Sequence, residues 1–259
     1  MLDFGSLTDD QVWEVGLSCG GRIQVWVDPE PYRREAWISA LEAVHENSAG
    51  VFVTDLESGD QWLWNPGNDS QNALGDCAQS AFDSRMSQEV EVESRRYFLH
   101  VLAERERLII VGAVHIAVPL VKFAKELGFE TIVIDPRPAL SSADRFPEAP
   151  DQIVVEWPEQ ALSQIEITRE AYCIVLTHDP KIDDVALSVF LRSPARYIGA
   201  LGSRVTQAKR REGLLSRGFS EEDLNRIHGP VGLNIGARSP EEIALSIAAE
   251  IVQVRRAEG

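Results

Sequence analysis

Five histidines and three cysteines are the side chains of this 259-residue chain best suited to hold a metal, move a proton or attack an electrophile. Cys19, Cys77 and Cys173 are too few and too scattered for a disulfide framework or a zinc site. Cys19 stands apart because Ser18-Cys19-Gly20-Gly21 joins two short runs of strand composition within Gln11 to Asp28. At the tip of such a hairpin a thiol lies near backbone amides and is a candidate reactive or cofactor-facing group; the alternative is a small turn residue. His115, His178 and His228 fall at a helix start or in loops. Each is a candidate donor or acceptor for a ligand, and each is equally read as a satisfied loop residue.

The elements that position these residues centre on Leu108 to Arg137. An apolar run ends in Gly112, a helical pattern runs from His115 to Leu127, Gly128 stops it, and a second apolar run ends in Asp135. That is a strand, helix and strand of the Rossmann kind, in which Gly112 and Ala113 open toward a ligand. Asp135 follows Gly112 by 23 positions, close to the roughly 20 that brings an acid to a ribose hydroxyl. The glycine fingerprint is damaged, with Val114 where backbone should approach a pyrophosphate and Ala117 at the third position. On local evidence, Gly112 making only a tight turn stands beside dinucleotide binding.

Beyond Asp135 come Pro136-Arg137-Pro138 and Arg145-Phe146-Pro147, a polar excursion suited to an adenosine end or a domain contact. Ala171 to Leu176 reads as a strand with Cys173 buried and inert in it, and it ends in Thr177-His178-Asp179-Pro180. Polar residues at a strand's carboxyl end sit where open α/β sheets collect ligands. Ile182 to Leu191 suits a helix with Asp179 or Asp183 near its start. Tyr197-Ile198 leads into a turn containing Gly202, Ser203 and Arg204, whose amides suit an anion, and then a basic helix with Lys209, Arg210 and Arg211. Ser220 and Ser239-Pro240 open two further helices, on either side of the glycine-rich loop His228 to Arg238, whose apolar residues predict packing.

Upstream, the pattern predicts a helix over Tyr32 to Glu46, a hairpin of Val51 to Leu56 with Gln61 to Trp64, and a surface loop from Asn65 to Ser80 carrying Cys77. Strands are expected at Glu89 to Glu93 and Tyr97 to Leu102. The predicted class is α/β: a parallel sheet with helices on both faces over 105–259, preceded by a smaller α+β module over 1–104. With 41 acidic against 25 basic residues and a net charge of -16, the chain lacks the basic field of a nucleic-acid or anionic-membrane binder. It shows no signal-peptide pattern and no run of about 18 apolar residues, so a cytoplasmic place is expected.

Taken together, GLSCGG at 16–21, GAVHIA at 112–117, DPR at 135–137, RFP at 145–147, THDP at 177–180, YIGALGSR at 197–204 and RIHGPVGLNIGARSPEEIALSIAAEIV at 226–252 resemble the XdhC/CoxI family of xanthine dehydrogenase accessory proteins. The resemblance spans nearly the whole chain. It implies a chaperone that binds the molybdenum cofactor, protects its sulfido ligand and inserts it into a molybdenum hydroxylase. The expected partners are that client, a cysteine desulfurase-type sulfurase and a second copy in a homodimer. Cys19, Gly20 and Gly21 would then face the molybdenum. Gly112, Ala113, Gly202 and Ser203 would meet the anionic tail with Arg137 and Arg204, and His115, Thr177, His178 and His228 would supply hydrogen bonds. The family's module has an earlier Ser-Gly-Gly-Cys segment, whereas Met1 stands just before the hairpin here, so the expectation is either a separate chain that supplies that part or a divergent or truncated member. The rival reading is an NAD(P)-dependent oxidoreductase with Asp135 on the ribose and His178 or His228 as general acid. A third is a regulatory protein with a vestigial nucleotide site.

Overall fold

A computed structural model describes residues 2–4, 23–28, 35–45, 48–67 and 72–257. The chain divides into two compact units, 1–104 and 105–259.

In the first unit, β1 (Leu2–Phe4) pairs antiparallel with β2 (Ile23–Val25). After α1 (Glu35–His45), strands β3 (Gly50–Asp55), β4 (Gln61–Trp64), β5 (Gln88–Val92) and β6 (Arg95–Leu102) form an antiparallel sheet in the order β4-β3-β6-β5. Side chains alternate across its faces. Val51, Val53, Tyr97 and Leu99 pack on α2 (Ala73–Ser84), while Phe52 meets Trp37 of α1 at 4.8 Å between ring centroids. Helix α2 corrects the expected loop at Asn65 to Ser80. Asn72 caps it by accepting from the Gly75 amide, and its inner face carries Leu74, Cys77, Ala78, Ala81 and Phe82 at helical spacing among the polar residues that suggest a loop. Cys77 lies partly buried on that helix.

The second unit begins with the charged stretch Arg105-Glu106 and enters β7 (Arg107–Val111). There follow α3 (Ala117–Glu126), β8 (Glu130–Ile134), a 3-10 turn (Ala143–Arg145), β9 (Gln152–Val154), α4 (Pro158–Ser163) and β10 (Ala171–Val175). The chain ends through α5 (Pro180–Arg192), β11 (Tyr197–Ala200), α6 (Arg204–Ser216), α7 (Glu221–Asn225), β12 (Ile227–His228) and α8 (Pro240–Ala257). All six strands are parallel, in the order β9-β8-β7-β10-β11-β12. One half runs outward from β7 and the other from β10, so the strand order reverses between them.

The central strands are apolar on both faces, as a sheet sandwiched by helices requires. Ile109, Val111, Cys173 and Val175 face α4 and α5, while Leu108, Ile110, Tyr172 and Ile174 face α3 and α8. Each such fully buried aliphatic side chain contributes about 1.5–3 kcal/mol relative to exposure. Capping fixes where the helices begin. Asp179 caps α5, Ser203 caps α6, Ser220 and Asp223 form a reciprocal box on α7, and Ser239 and Glu242 do the same at α8. The predicted helix from His115 starts two residues later, because Val114 to Ile116 form the turn out of β7. Likewise Ile227 and His228 form an edge strand, although the sequence continues a helical pattern to Ile227.

Candidate functional site

The carboxyl ends of β7 and β10 face each other at the reversal point, and Gly112 and Thr177 are the residues that meet there. Gly112 has φ +112, and a Cβ on it would come within 2.6 Å of Thr177 Cγ2 and 3.2 Å of the Thr177 amide nitrogen. Both the backbone conformation and the contact therefore demand glycine. Its amide donates to Ile134 O at 2.8 Å, which fixes the loop against β8.

Asp135, at the end of β8, is fully buried. Its Oδ2 accepts from the Ala113 amide (2.8 Å) and Arg137 Nη2 (2.7 Å); its Oδ1 accepts from the Arg137 amide (3.0 Å) and Arg137 Nε (2.8 Å). Burial alone would push this carboxyl up. The Arg137 fork and the amides of Arg137 and Ala113 outweigh burial and hold it below the usual range. Arg145 completes the clamp by donating to Ala113 O and Leu140 O, both at 2.6 Å. Arg137 keeps 44% of its side chain exposed and is held charged by Asp135 first and by Asp179 and Asp183 beyond it. Helix α3 begins beside this clamp with no side-chain cap, but Pro119 has no amide hydrogen and the Ala117 amide donates to Val114 O at 2.9 Å, so the first turn offers an anion the Val118 amide.

Across the crevice, the Thr177 hydroxyl is already committed. It donates to Asp183 Oδ1 and accepts from the Asp179 amide at 3.2 Å. Asp183, on the first turn of α5, is 1% exposed, and its Oδ2 accepts from Arg210 Nη2 at 2.9 Å. Burial here outweighs Thr177 and Arg210 and pushes the carboxyl up to about 6. Arg210 also donates to Leu201 O (3.1 Å) and Gln207 Oε1 (2.7 Å), and Gln207 Nε2 donates to Ala200 O (2.8 Å). Beyond this pair a cavity of about 220 Å3 opens between Gln207, Arg210 and Arg211 on one side and Leu224, Ile227 and Gly229 on the other. Both of its arginines are ion-paired, Arg210 with Asp183 and Arg211 with Glu221.

The structure thus joins Gly112, Ala113, Asp135, Arg137 and Thr177 by direct contacts. His115 and His178 are exposed on the adjoining turns. Gly202 and Ser203 belong to the next loop and Arg204 opens α6; Gly202 has φ +137 and the Ser203 hydroxyl is spent on the Thr206 amide. His228 is not part of the reversal-point cluster. It lies over Tyr197 (4.6 Å between ring centroids), with Nδ1 3.5 Å from Glu250 Oε1, so it ties the edge strand to α8. Glu250 also accepts from the Tyr197 hydroxyl and the Gly232 amide. Cys19, Gly20 and Gly21 fall outside the described residues.

Sequence reading alone assigns no role to Asp183, Gln207 or Glu250. The available signal was an acid inside an apolar stripe: Asp183 shares its helix face with Ile182, Ala186 and Leu187, and a charge there demands a buried partner. Among the described residues no group of three or more histidine, cysteine or acidic side chains is placed to hold a metal ion.

A six-stranded parallel sheet in this order, with a glycine turn at its reversal point, defines a Rossmann-type ligand-binding domain. Residues 108–251 match the XdhC Rossmann domain, and the chain belongs to that family. A probable xanthine dehydrogenase component of Bacillus subtilis (strain 168) is 31% identical over 96% of this chain and 74% of its own length. The molybdenum cofactor insertion chaperone PaoD of Escherichia coli (strain K12) is 29% identical over 58% of this chain and 40% of its own. A crystal structure described as a xanthine dehydrogenase from Bacillus halodurans matches with a TM-score of 0.64 and 28% identity, over 86% of this chain and 64% of that one. This chain therefore spans just under two thirds of that solved chain.

Proposed function

We propose that the protein is an accessory chaperone that holds molybdenum cofactor in the crevice between β7 and β10 and delivers it to a xanthine dehydrogenase or carbon monoxide dehydrogenase type enzyme. One observation carries the reading. The damaged fingerprint still builds an anion-accepting corner, in which the uncapped start of α3 and the half-exposed Arg137 stand together, in a chain 29% identical to a named cofactor-insertion chaperone. The cofactor's phosphate would meet the Val118 amide at the start of α3 and Arg137, with His115 and His178 at the rim. Cys19 would shield the sulfido ligand, a sulfurase would install that ligand, and two copies would assemble in the cytoplasm.

The hydride-transfer alternative fares worse on one point. Each Asp135 oxygen already accepts two hydrogen bonds, so the carboxylate has no vacant position for a ribose hydroxyl.

Purified protein incubated with molybdenum cofactor, and separately with NAD, should retain molybdenum but not NAD after gel filtration. Stoichiometric NAD without molybdenum would sink the carrier reading. In the same assay Cys19→Ala should speed loss of the sulfido ligand without altering the fold, and unchanged protection would remove Cys19 from the site.

A further inference from the structure

The loops after β10, β11 and β12 are joined beneath the surface by one row of side chains. Thr177 packs against the Gly112 backbone and donates its hydroxyl proton to Asp183. Asp183 takes Arg210, and Arg210 reaches Leu201 O and the Gln207 side chain. Gln207 then holds Ala200 O, and a Cβ placed on Gly229 would come within 2.7 Å of the Gln207 amide group. Asp183 and Arg210 are 1% and 8% exposed, and Thr177 stands between Asp183 and Gly112. A buried ion pair is weak as a source of stability compared with apolar packing, but it specifies geometry when every member is satisfied.

We propose that Asp183 and Arg210 are positioning residues: through Thr177 on one side and Leu201 and Gln207 on the other, they set the loops that hold the ligand at Gly112. The proposal rests on the crevice being the cofactor site. Thr177 serves this strut rather than the ligand, since its proton goes to Asp183 and its oxygen accepts the Asp179 amide.

The strut has a readout that needs no ligand. The Leu201 amide donates to Val175 O at 2.9 Å and the Val231 amide to Ala200 O at 3.1 Å, so both exchange slowly with solvent only while these loops stay in place. Thr177→Val keeps the side-chain shape and removes the hydroxyl. In the full chain it should speed exchange at Leu201 and Val231 at least fivefold and cut molybdenum retained after cofactor loading at least fivefold. Thr177→Ser should restore both. Arg210→Lys should act like Thr177→Val, and the double variant should be no worse than the poorer single one, because both break the same strut. Exchange at Leu201 and Val231 unchanged in a folded Thr177→Val protein would overturn the proposal. So would faster exchange with undiminished retention, which would leave a merely structural contact. Wild-type protein that retains no molybdenum would instead defeat the cofactor reading, and the exchange data would then decide the strut alone.

Discussion

Asp135 and Asp183 are two buried aspartates on opposite sides of Gly112, and their surroundings drive them in opposite directions. Asp135 receives four hydrogen bonds, two of them from backbone amides and two from an arginine fork, and is held below the usual carboxylate range. Asp183 receives a hydroxyl and one guanidinium nitrogen and is pushed up to about 6. Burial raises both; the number and kind of donors decides which way each goes. Asp135 is a clamp, held in its ionised form by its donors, on the loop that would hold an anion. Asp183 is an acid whose charge depends on a single cation.

The sharpest way to break this contrast is Arg210→Met, which strands Asp183 without its cation. Urea unfolding should show a loss of about 4 kcal/mol at pH 7.5, the usual scale for a buried pair broken on one side. At pH 5 the loss should shrink, because the carboxyl then takes up a proton; a loss equal at both pH values would contradict the assignment. Asp183 has a second signature. Its folded pKa lies above the unfolded one, so its contribution is fully present below about pH 3.9 and is lost as pH rises through about 6, on the order of 3 kcal/mol across that window. Relative to wild type, Asp183→Asn should therefore gain stability steadily between pH 4 and 6.5, and a flat difference would show the carboxyl to be ordinary.

Asp135 should behave the other way. With a depressed folded pKa, its stabilisation is present above about pH 3.9 and fades as acid drives the pH down through the folded value. Asp135→Asn should cost about 2 kcal/mol at pH 7, chiefly the charge-assisted bonds, and should flatten the acid limb of the wild-type curve. The smallest effect is expected from Arg137→Lys, about 1 kcal/mol in thermal unfolding, because the charge stays and only the fork is lost. Cofactor retention in that variant should fall further than stability does. Equal retention would remove Arg137 from the ligand's path.

Much of the second unit is legible in the chain. Gly112, the helix stop at Gly128 and the spacing to Asp135 outline the strand, helix and strand, and the polar tail Thr177 to Asp179 marks the facing strand end. Spacing locates Asp135 but says nothing about whether its oxygens are already occupied. That depends on Arg137 folding back on its own neighbour. Asp183 and Arg210 escape because their partnership links two helices, and sequence patterns report one helix face at a time. In the first unit, α2 escapes for a different reason. Its apolar face of Leu74, Cys77, Ala78, Ala81 and Phe82 does have helical spacing, but the Asn, Gly, Asp, Gln and Ser residues between them give the stretch a loop's composition.

The charges at the entrances to the central strands have a consequence for synthesis. The apolar runs of β7 and β10 are segments that would pair with other chains before the sheet closes. Arg105, Glu106 and Arg107 stand directly before Leu108, and Arg169 and Glu170 directly before Ala171. Such flanks oppose aggregation in the nascent chain. After folding, Glu106 receives the Tyr172 hydroxyl and Arg255, and Arg107 pairs with Glu130. The residues that guard the strands while they are exposed become the ties that close the sheet's amino-terminal edge.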